Sequence, residues 1–254
     1  MTAKALKRRR MVGWLAGQGI EIGALHNALA VGPAARVIYV DRMTEAELRA
    51  HYPELAGLAL APVSVLGDAQ NLSTFPDASL DFVIANHLLE HIEDPIRALS
   101  EMSRVLRQGG ILYLALPDQR VTFDRDRPLT DVDHLISEHR TGTEQTRRSH
   151  FEEWVDLVEP LITDWPHLLS DENLEPRARV ERLMELDYSI HFHVWSPETF
   201  LSFLSAARHE TALDLQLLAF EACSGAEDDD EFIVVLAKGQ QLTQRPPDQA
   251  LDRA

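Results

Sequence analysis

Apolar and polar positions follow two kinds of pattern along the chain. Short apolar runs rich in β-branched and aliphatic residues predict buried strands. Seven such runs cover residues 19–23, 36–41, 63–66, 80–85, 111–116, 214–221 and 231–238. Helical segments alternate with the first five runs, which is typical of βαβ units. We therefore expect an α/β, doubly wound, mainly parallel seven-stranded sheet with an antiparallel last strand.

Helix boundaries can also be predicted locally. Thr44 with Glu47 three residues later forms a capping-box pattern, and Ser196 before Pro197 is a typical helix start. Residues 1–18 have an amphipathic pattern that glycines end. Residues 95–106 carry apolar side chains at helical spacing, and the segment 108–110 is expected to stop that helix.

The segment 118–195 differs from the rest of the chain. It is polar, contains six histidines, and has helical patterns over 151–158 and 178–186. We predict that it is a helical insertion over the carboxyl edge of the sheet, a lid for the substrate. The core would then comprise 1–117 and 196–239, and 240–254 has the composition of a disordered tail.

Composition changes this prediction little but excludes some partners. The chain has 254 residues and a formal net charge of −17, which disfavours nucleic acid. We interpret the basic run at 7–10 as a solvated helix face and the acidic run at 227–231 as a solvated hairpin.

The remaining bulk features point to the cytoplasm. The single cysteine, Cys223, cannot form an intramolecular disulfide and is expected to be a small buried apolar residue. No apolar run is long enough for a membrane span, and no secretory signal is recognisable. We predict a cytoplasmic protein without membrane contact that acts on a small molecule, and leave a homodimer open.

Candidate chemistry lies at the strand ends. Gly23 follows the first predicted strand and Asp41 ends the second, which is the arrangement of a nucleoside site. The glycine lets the backbone approach a ligand, and the carboxylate accepts ribose hydroxyls. No Gly-x-Gly-x-x-Gly follows the first strand, so a pyrophosphate would be poorly held. This disfavours NAD and FAD and favours a cofactor without phosphates.

With these motifs in this order, the chain resembles class I S-adenosylmethionine-dependent methyltransferases over about residues 18–118 and the two last strands. The matching segments are Glu21-Ile22-Gly23-Ala24-Leu25, Val40-Asp41-Arg42, Gly67-Asp68-Ala69, Asn86-His87-Leu88-Leu89-Glu90-His91 and Leu106-Arg107-Gln108-Gly109-Gly110. Residues 21–27, Glu-Ile-Gly-Ala-Leu-His-Asn, and 123–128, Phe-Asp-Arg-Asp-Arg-Pro, also resemble a bacterial subgroup of these enzymes without an assigned substrate.

The resemblance implies S-adenosylmethionine as cofactor and S-adenosylhomocysteine as product. It implies that the segment around Gly23 faces the methionine moiety, that Asp41 binds the ribose, and that Asp68 binds the adenine amino group. The cofactor-binding residues expected on this basis are Glu21, Gly23, Ala24, Leu25, Asp41, Arg42, Asp68, Ala69, Asn86, His87 and His91.

The chain departs from the family at the first motif. The second glycine of the family pattern is Leu25 here, and His26 and Asn27 stand where a helix normally begins. Gly32-Pro33 would cut that helix short. The contacts to the methionine moiety are therefore expected to differ from those of the family.

On the substrate side, imidazoles are candidate bases for a hydroxyl or ammonium nucleophile. We predict catalytic roles for His87, His191 and His193. The expected substrate-binding residues are Arg125, Arg127, His150, His191, His193 and Trp195. The arginines favour an acidic metabolite. We predict no metal site, but His191 and His193 with His150 or an acid remain an alternative set of ligands for Zn, Fe or Ni.

The sequence thus predicts a methyltransferase acting on oxygen or nitrogen of a small molecule. Two alternatives stay open. One is an enzyme of the same fold with non-methylating chemistry, such as a rearrangement or elimination. The other is a non-catalytic module that binds the cofactor or its product.

Overall fold

The structure is a computed structural model that describes residues 2–52, 55, 57–162 and 174–239. Its strands are β1 (Gly17–Ile22), β2 (Ala35–Asp41), β3 (Val65–Leu66), β4 (Leu80–Asn86), β5 (Leu106–Pro117), β6 (Leu215–Glu221) and β7 (Glu231–Lys238). They form one sheet in the order β3-β2-β1-β4-β5-β7-β6. Neighbours among β1 to β5 are parallel, and β7 is antiparallel to β5 and β6. The predicted fold class is confirmed.

Helices connect these strands and extend beyond them. They are α1 (Ala3–Met11), α2 (Glu45–His51), α3 (Pro95–Val105), α4 (Val132–Thr141), α5 (Arg147–Leu157), α6 (Pro176–Glu185) and α7 (Pro197–Thr211). The capping box of Thr44 and Glu47 is present at the start of α2. Ser196 caps α7, with Pro197 at its first position. No helix in the described part of the chain is long and apolar enough to cross a membrane.

The sheet is covered on both faces because successive residues of its strands point to opposite sides. In β4, Phe82 packs in one apolar cluster with Met11 of α1. The next residue, Val83, packs in a second cluster with Leu99 of α3. Helices and loops therefore cover both faces of the central strands β4, β5 and β7.

Two boundary predictions were wrong for a common reason, which is that glycine does not always end an element. Helix α1 ends at Met11, and β1 already begins at Gly17. A Cβ at Gly19 would lie 2.3 Å from Phe82, so this glycine allows close strand packing. Likewise α3 ends at Val105, and residues 106–110 belong to an irregular start of β5.

The loop from β1 to β2 and the third strand also differ from expectation. Residues 23–34 contain turns but no helix, so the chain passes directly from the β1 turn to β2. The third strand is only Val65–Leu66, shorter than the predicted 63–66.

The acidic run does lie in the hairpin before β7, and Arg9, Arg10, Glu227 and Asp228 are exposed, but the prediction that both runs are solvated was wrong for their other ends. Lys7 is 2% exposed and forms an ion pair with buried Asp229, although 222 residues separate them. Arg8 donates two hydrogen bonds to the carboxylate of buried Glu231, at 2.8 and 2.7 Å. Each run neutralises the other, because α1 packs beside the start of β7.

Residues 118–195 contain α4, α5 and α6. Side chains of α5 and α6 form a separate apolar cluster that includes Phe151, Trp154, Val180 and Leu183. The helical prediction for this segment agrees with these elements, and the domain division remains a proposal. The predicted tail at 240–254 lies outside the described residues.

Candidate active site

A cavity of about 550 Å³ opens at the carboxyl edge of the sheet. The residues that follow four neighbouring strands line it, namely Gly23, Asp41, Asp68 and His87. Ligands bind at this edge in doubly wound sheets because the strand order reverses there. The fold therefore brings the ends of β1 to β4 to one site.

The turn after β1 has an unusual backbone. Gly23 has φ +68° and Leu25 has φ +47°, and both residues line the cavity. A non-glycine residue in this left-handed region costs about 1–2 kcal/mol. Leu25 therefore keeps the conformation that a glycine would adopt freely, while its side chain forms part of the cavity wall. Its carbonyl accepts a hydrogen bond from the amide of Ala61 at 2.7 Å, which holds the turn.

Glu21 lies behind this turn and outside the cavity lining. Its fully buried carboxylate accepts the amide hydrogen of Leu29 at 3.0 Å and the Nδ2 hydrogen of Asn86 at 3.2 Å. Burial raises the pKa of Glu21 to about 7, although these hydrogen bonds oppose the shift. Glu21 and Asn86 thus position the loops after β1 and β4. Ala24 also lies outside the lining.

Asp41 ends β2 and is 8% exposed at the cavity wall. One of its oxygens accepts the amide hydrogen of Met43 at 3.3 Å, and burial raises the pKa of its carboxyl. Arg42 also lines the cavity and reaches across it, donating to Asp187 Oδ2 at 2.9 Å. The ion pair connects the second strand to the segment 118–195.

Asp68, Ala69 and Gln70 follow β3 and line the adjoining wall. The carboxylate of Asp68 accepts the amide hydrogen of Gln70 at 2.7 Å, which fixes a tight turn. Asp41 and Asp68 therefore place two carboxylates on the cavity.

His87 follows β4 at φ +47° and lines the cavity with a side chain that is 30% exposed. Its Nε2 lies 2.8 Å from Glu231 Oε2, and its Nδ1 lies 3.7 Å from Glu90 Oε1. Desolvation lowers the pKa of His87. Burial disfavours the charged form of Glu231, but hydrogen bonds from His87 and Arg8 lower the pKa of Glu231 overall. An ionised carboxylate therefore orients a neutral imidazole.

Glu90 is fully buried beneath this imidazole. Neither of its side-chain oxygens has a hydrogen-bond partner among the described residues. Burial raises the pKa of Glu90 well above its ordinary value, which favours the uncharged carboxyl.

A second group of side chains surrounds His91, which lines the cavity. The Nδ1 atom of His91 lies 2.9 Å from the carbonyl oxygen of Ile190 and 3.0 Å from Ser189 Oγ. Its ring stands edge-on to that of His191 at 4.5 Å. His191 in turn contacts Asp124 Oδ2 through Nδ1 at 2.6 Å. The structure thus places His191 one layer behind the cavity.

The other predicted substrate-side residues lie outside the cavity lining. Arg127 is buried in an ion pair with Asp124 at 2.8 Å, and Arg125 is 62% exposed at the surface. Trp195 packs in the core against Phe203. His150 and His193 belong to a separate cluster with His134 and Glu138.

His191 and His193 lie in the same segment before α7 but contact different residues. His191 contacts His91, Phe123 and Trp154, whereas His193 contacts His134 and His150. The structure therefore separates the two histidines into different environments.

Sequence reasoning missed the apolar and insertion walls of the cavity. These walls are formed by Leu48, Tyr52, Leu55, Asp187, Tyr188, Ser189 and Phe192. Apolar periodicity could have found Leu48, which lies on α2. No local pattern marks Asp187 or Ser189, because they reach the cavity through the long connection between β5 and α7.

Comparison with known proteins agrees with this geometry. The family model of the methyltransferase domain matches residues 16–114. A probable S-adenosylmethionine-dependent methyltransferase of Mycolicibacterium smegmatis is 38% identical over 104 residues, which are 38% of this chain and 35% of that protein. An uncharacterised 37.1 kDa protein in transposon TN4556 of Streptomyces fradiae is 35% identical over 125 residues, 49% of this chain and 34% of that protein.

A solved structure from Rhodobacter sphaeroides, described as a candidate Zn-dependent alcohol dehydrogenase, has a TM-score of 0.53 at 15% identity. The match covers 92% of this chain and 90% of the chain from Rhodobacter sphaeroides. This likeness concerns the fold alone.

Residues 16–114 match the methyltransferase domain, and the sheet order and site agree with the expected class I, S-adenosylmethionine-dependent type. The class implies S-adenosylmethionine as the cofactor and S-adenosylhomocysteine as the product. The chain spans about a third of the length of the two curated relatives, 35% and 34%.

Proposed function

We propose that the chain is an S-adenosylmethionine-dependent methyltransferase that acts on oxygen or nitrogen of a small molecule. The observation that carries the proposal is the meeting of Gly23, Asp41, Asp68 and His87 on one cavity of about 550 Å³. That volume suits a nucleoside cofactor together with part of a small substrate.

The residues present fit the cofactor. Asp41 is largely buried at the end of β2, where its carboxylate can accept ribose hydroxyls. Asp68 offers a carboxylate to an adenine amino group, and Leu48 gives an apolar wall. Gly23, with its positive φ, lets the backbone approach the methionine moiety. When bound, the cofactor supplies an electrophilic methyl group on a cationic sulfur.

His87 is the residue that we assign as proton acceptor. Glu231 accepts the hydrogen on Nε2, which leaves a lone pair on Nδ1 of the neutral ring. A hydroxyl or ammonium nucleophile must lose a proton during methylation, and a neutral imidazole at the cavity can take it. The carboxyl of Glu90 lies 3.7 Å from Nδ1, and burial raises its pKa, which disfavours a negative charge there.

The segment 118–195 supports a closed site that excludes water. Asp187, Ser189 and Phe192 line the cavity opposite the strand ends. Arg147 pairs with Glu93 at 3.0 Å, so an ion pair also closes the wall beside Ile92. Such closure strengthens electrostatic interactions within a site.

A preference for acidic substrates gains no support from the arginines. Arg127 is already paired with Asp124 and Glu153, and Arg125 lies at the exposed surface. The cationic side chain at the cavity, Arg42, pairs with Asp187. The proposed substrate is therefore a small molecule of unspecified charge.

Two measurements test the proposal together. Calorimetry with S-adenosylhomocysteine should give a measurable dissociation constant. Asp41→Ala should make the binding free energy less favourable by about 1–3 kcal/mol, because the ribose hydroxyls lose a buried acceptor. Asp156→Asn, an exposed change on α5, is the matched control and should bind as the wild type does. Incubation with methyl-labelled cofactor and a metabolite pool should then transfer label to a small molecule.

The two measurements fail in different ways. Undetectable binding at millimolar ligand would remove the basis for any cofactor-dependent activity. Binding without labelled product would instead favour non-methylating chemistry or a binding module.

A further inference from the structure

We propose that His134, Glu138, His150 and His193 form a binding site for a divalent transition metal of the Zn²⁺ class. The four residues come from three parts of the insertion. His134 and Glu138 lie one turn apart on α4, His150 lies on α5, and His193 lies in the extended segment before α7. One ligand atom from each lies within 4.8 Å of the others.

The distances among the ligand atoms of His134, Glu138 and His150 suit three corners of a tetrahedral ion. Glu138 Oε1 lies 3.1 Å from His134 Nε2 and 2.9 Å from His150 Nε2, and the two Nε2 atoms are 3.3 Å apart. Glu138 Oε2 lies 3.7 Å from His193 Nε2. Metal–nitrogen and metal–oxygen bonds of about 2.0–2.1 Å give tetrahedral edges of about 3.3 Å. His193, whose ring lies against the other oxygen of the same carboxylate, would supply the fourth ligand through Nδ1.

Two buried polar atoms in the cluster have no hydrogen-bond partner among the described residues. They are Glu138 Oε2 and His193 Nδ1. His193 Nε2 meets the carbonyl oxygen of Glu93 at 3.1 Å, so Nε2 carries the hydrogen and Nδ1 the lone pair. A hydrogen bond from the second ring nitrogen to a backbone carbonyl is typical of metal-bound histidines. Buried polar atoms without partners are costly, and a metal ion would satisfy both.

The donor set indicates the class of metal. Three imidazoles and one carboxylate suit Zn²⁺ and other borderline transition metals, whereas Ca²⁺ and Mg²⁺ prefer sets of oxygen ligands. Glu138 and His193 are buried, and only His134 is substantially exposed, at 32% of its side chain. Four protein ligands leave no open coordination position, so the geometry points to a structural ion.

The location suggests what such an ion would stabilise. None of the four ligands is among the residues that line the cavity, but their neighbours are. Phe192, which precedes His193, lines the cavity. Glu93 also lines the cavity, and its carbonyl oxygen accepts a hydrogen bond from His193. An ion would therefore join α4, α5 and the segment before α7 into one unit beside the site. The inference does not depend on the proposed reaction.

Metal binding can be measured on the full chain without any activity assay. After removal of metal with a chelator, the wild type should take up about one Zn²⁺ per chain by mass spectrometry of the metal content. Co²⁺ should give visible ligand-field bands of tetrahedral coordination, and either ion should raise the thermal midpoint. Glu138→Gln and His150→Gln should each weaken Zn²⁺ binding by more than about 100-fold, since changes outside the ligand shell alone cost 10–100-fold.

His209→Ala, at an exposed histidine of α7, is the control and should keep the wild-type affinity and bands. Circular dichroism of the metal-free proteins shows which variants fold, and the two ligand substitutions serve as independent tests. The proposal is overturned if the stripped wild type takes up no Zn²⁺ at micromolar concentration. It is equally overturned if both folded ligand variants keep the stoichiometry and the Co²⁺ bands, because the ion would then lie elsewhere.

Discussion

Glu231 Oε2 lies 2.8 Å from His87 Nε2, although the two residues are 144 positions apart in the chain. In the sheet, β5 lies between β4 and β7. The end of β4 and the start of β7 therefore lie at the same edge, on either side of the end of β5. The same carboxylate accepts two hydrogen bonds from Arg8 of α1. One buried acid thus connects the N-terminal helix to an imidazole of the cavity.

This contact predicts a change in pH dependence. The hydrogen bond that His87 donates to Glu231 raises the pKa of His87 against the effect of desolvation, so Glu231→Gln should lower that pKa further. Since the base acts in its neutral form, the acidic limb of the kcat profile should move to lower pH. His87→Gln should lower kcat by about 10²–10⁴-fold, the usual contribution of a general base.

The control for this experiment is Glu221→Gln, which removes an ion pair with Arg10 at the more exposed edge of the sheet. It should leave the profile unchanged. A folded Glu231→Gln variant with an unmoved acidic limb would show that His87 is not the titrating base.

Leu25 leads to a prediction about stability. At φ +47° an alanine keeps the strain of a side chain in the left-handed region, whereas a glycine does not. We expect Leu25→Gly to be about 1 kcal/mol more stable to unfolding than Leu25→Ala, the reverse of the order found in helices and strands. Urea unfolding without cofactor measures both, and an alanine variant that is the more stable would contradict the strained turn.

Some of the site could be predicted because its signals are local. Gly23 and Asp41 each follow an apolar run, and in a parallel sheet such positions meet at one edge. The capping pattern at Thr44 involves residues only three positions apart. Where the determining contacts lie within a few residues, the sequence predicts both the element and its position.

The rest of the site depends on contacts between distant segments. Nothing near Glu231 indicates that His87 and Arg8 surround it, so the acidic run resembled an ordinary hairpin. The alternation of His191 and His193 is visible, but their separate partners, Asp124 and Glu138, come from different elements of the insertion. Periodicity predicts which way a side chain points within one element, but not what another element places opposite it.

Glu21 predicts a pH dependence of folding. Its pKa is about 7 in the folded protein because of burial, against an ordinary value of 4.5. An acid with a raised folded pKa stabilises the fold below its unfolded pKa, and this contribution is lost as the pH rises through the folded value. The free energy of unfolding of the wild type, relative to Glu21→Gln, should therefore fall by at most about 3 kcal/mol between pH 4.5 and 7.

Glutamine keeps the shape of Glu21 and an oxygen for the Leu29 amide, so the comparison isolates the ionisation. Denaturant unfolding at several pH values, without cofactor, provides the measurement. A difference between the two proteins that is constant across this range would mean that the carboxyl of Glu21 ionises as readily in the folded state as in the unfolded chain.

Lys7 and Lys4 provide a matched pair on α1 that separates buried from exposed charge. Lys7 is buried against Asp229. Lys4 is 26% exposed and pairs with Asp230, which is 47% exposed, and at 3.4 Å with buried Glu231, which keeps Arg8 as a partner if Lys4 is removed. Lys7→Met should destabilise the protein by about 3–5 kcal/mol, because it leaves an uncompensated buried carboxylate. Lys4→Met should cost less than about 1 kcal/mol.

A double variant tests the origin of this difference. Adding Asp229→Asn to Lys7→Met removes the stranded charge, so the double variant should be more stable than the sum of the two single changes predicts. Urea unfolding of the four proteins gives the coupling energy. If the two changes are additive, Lys7 stabilises α1 through packing of its aliphatic chain, and the charge of Asp229 contributes little to holding the N-terminal helix on β7.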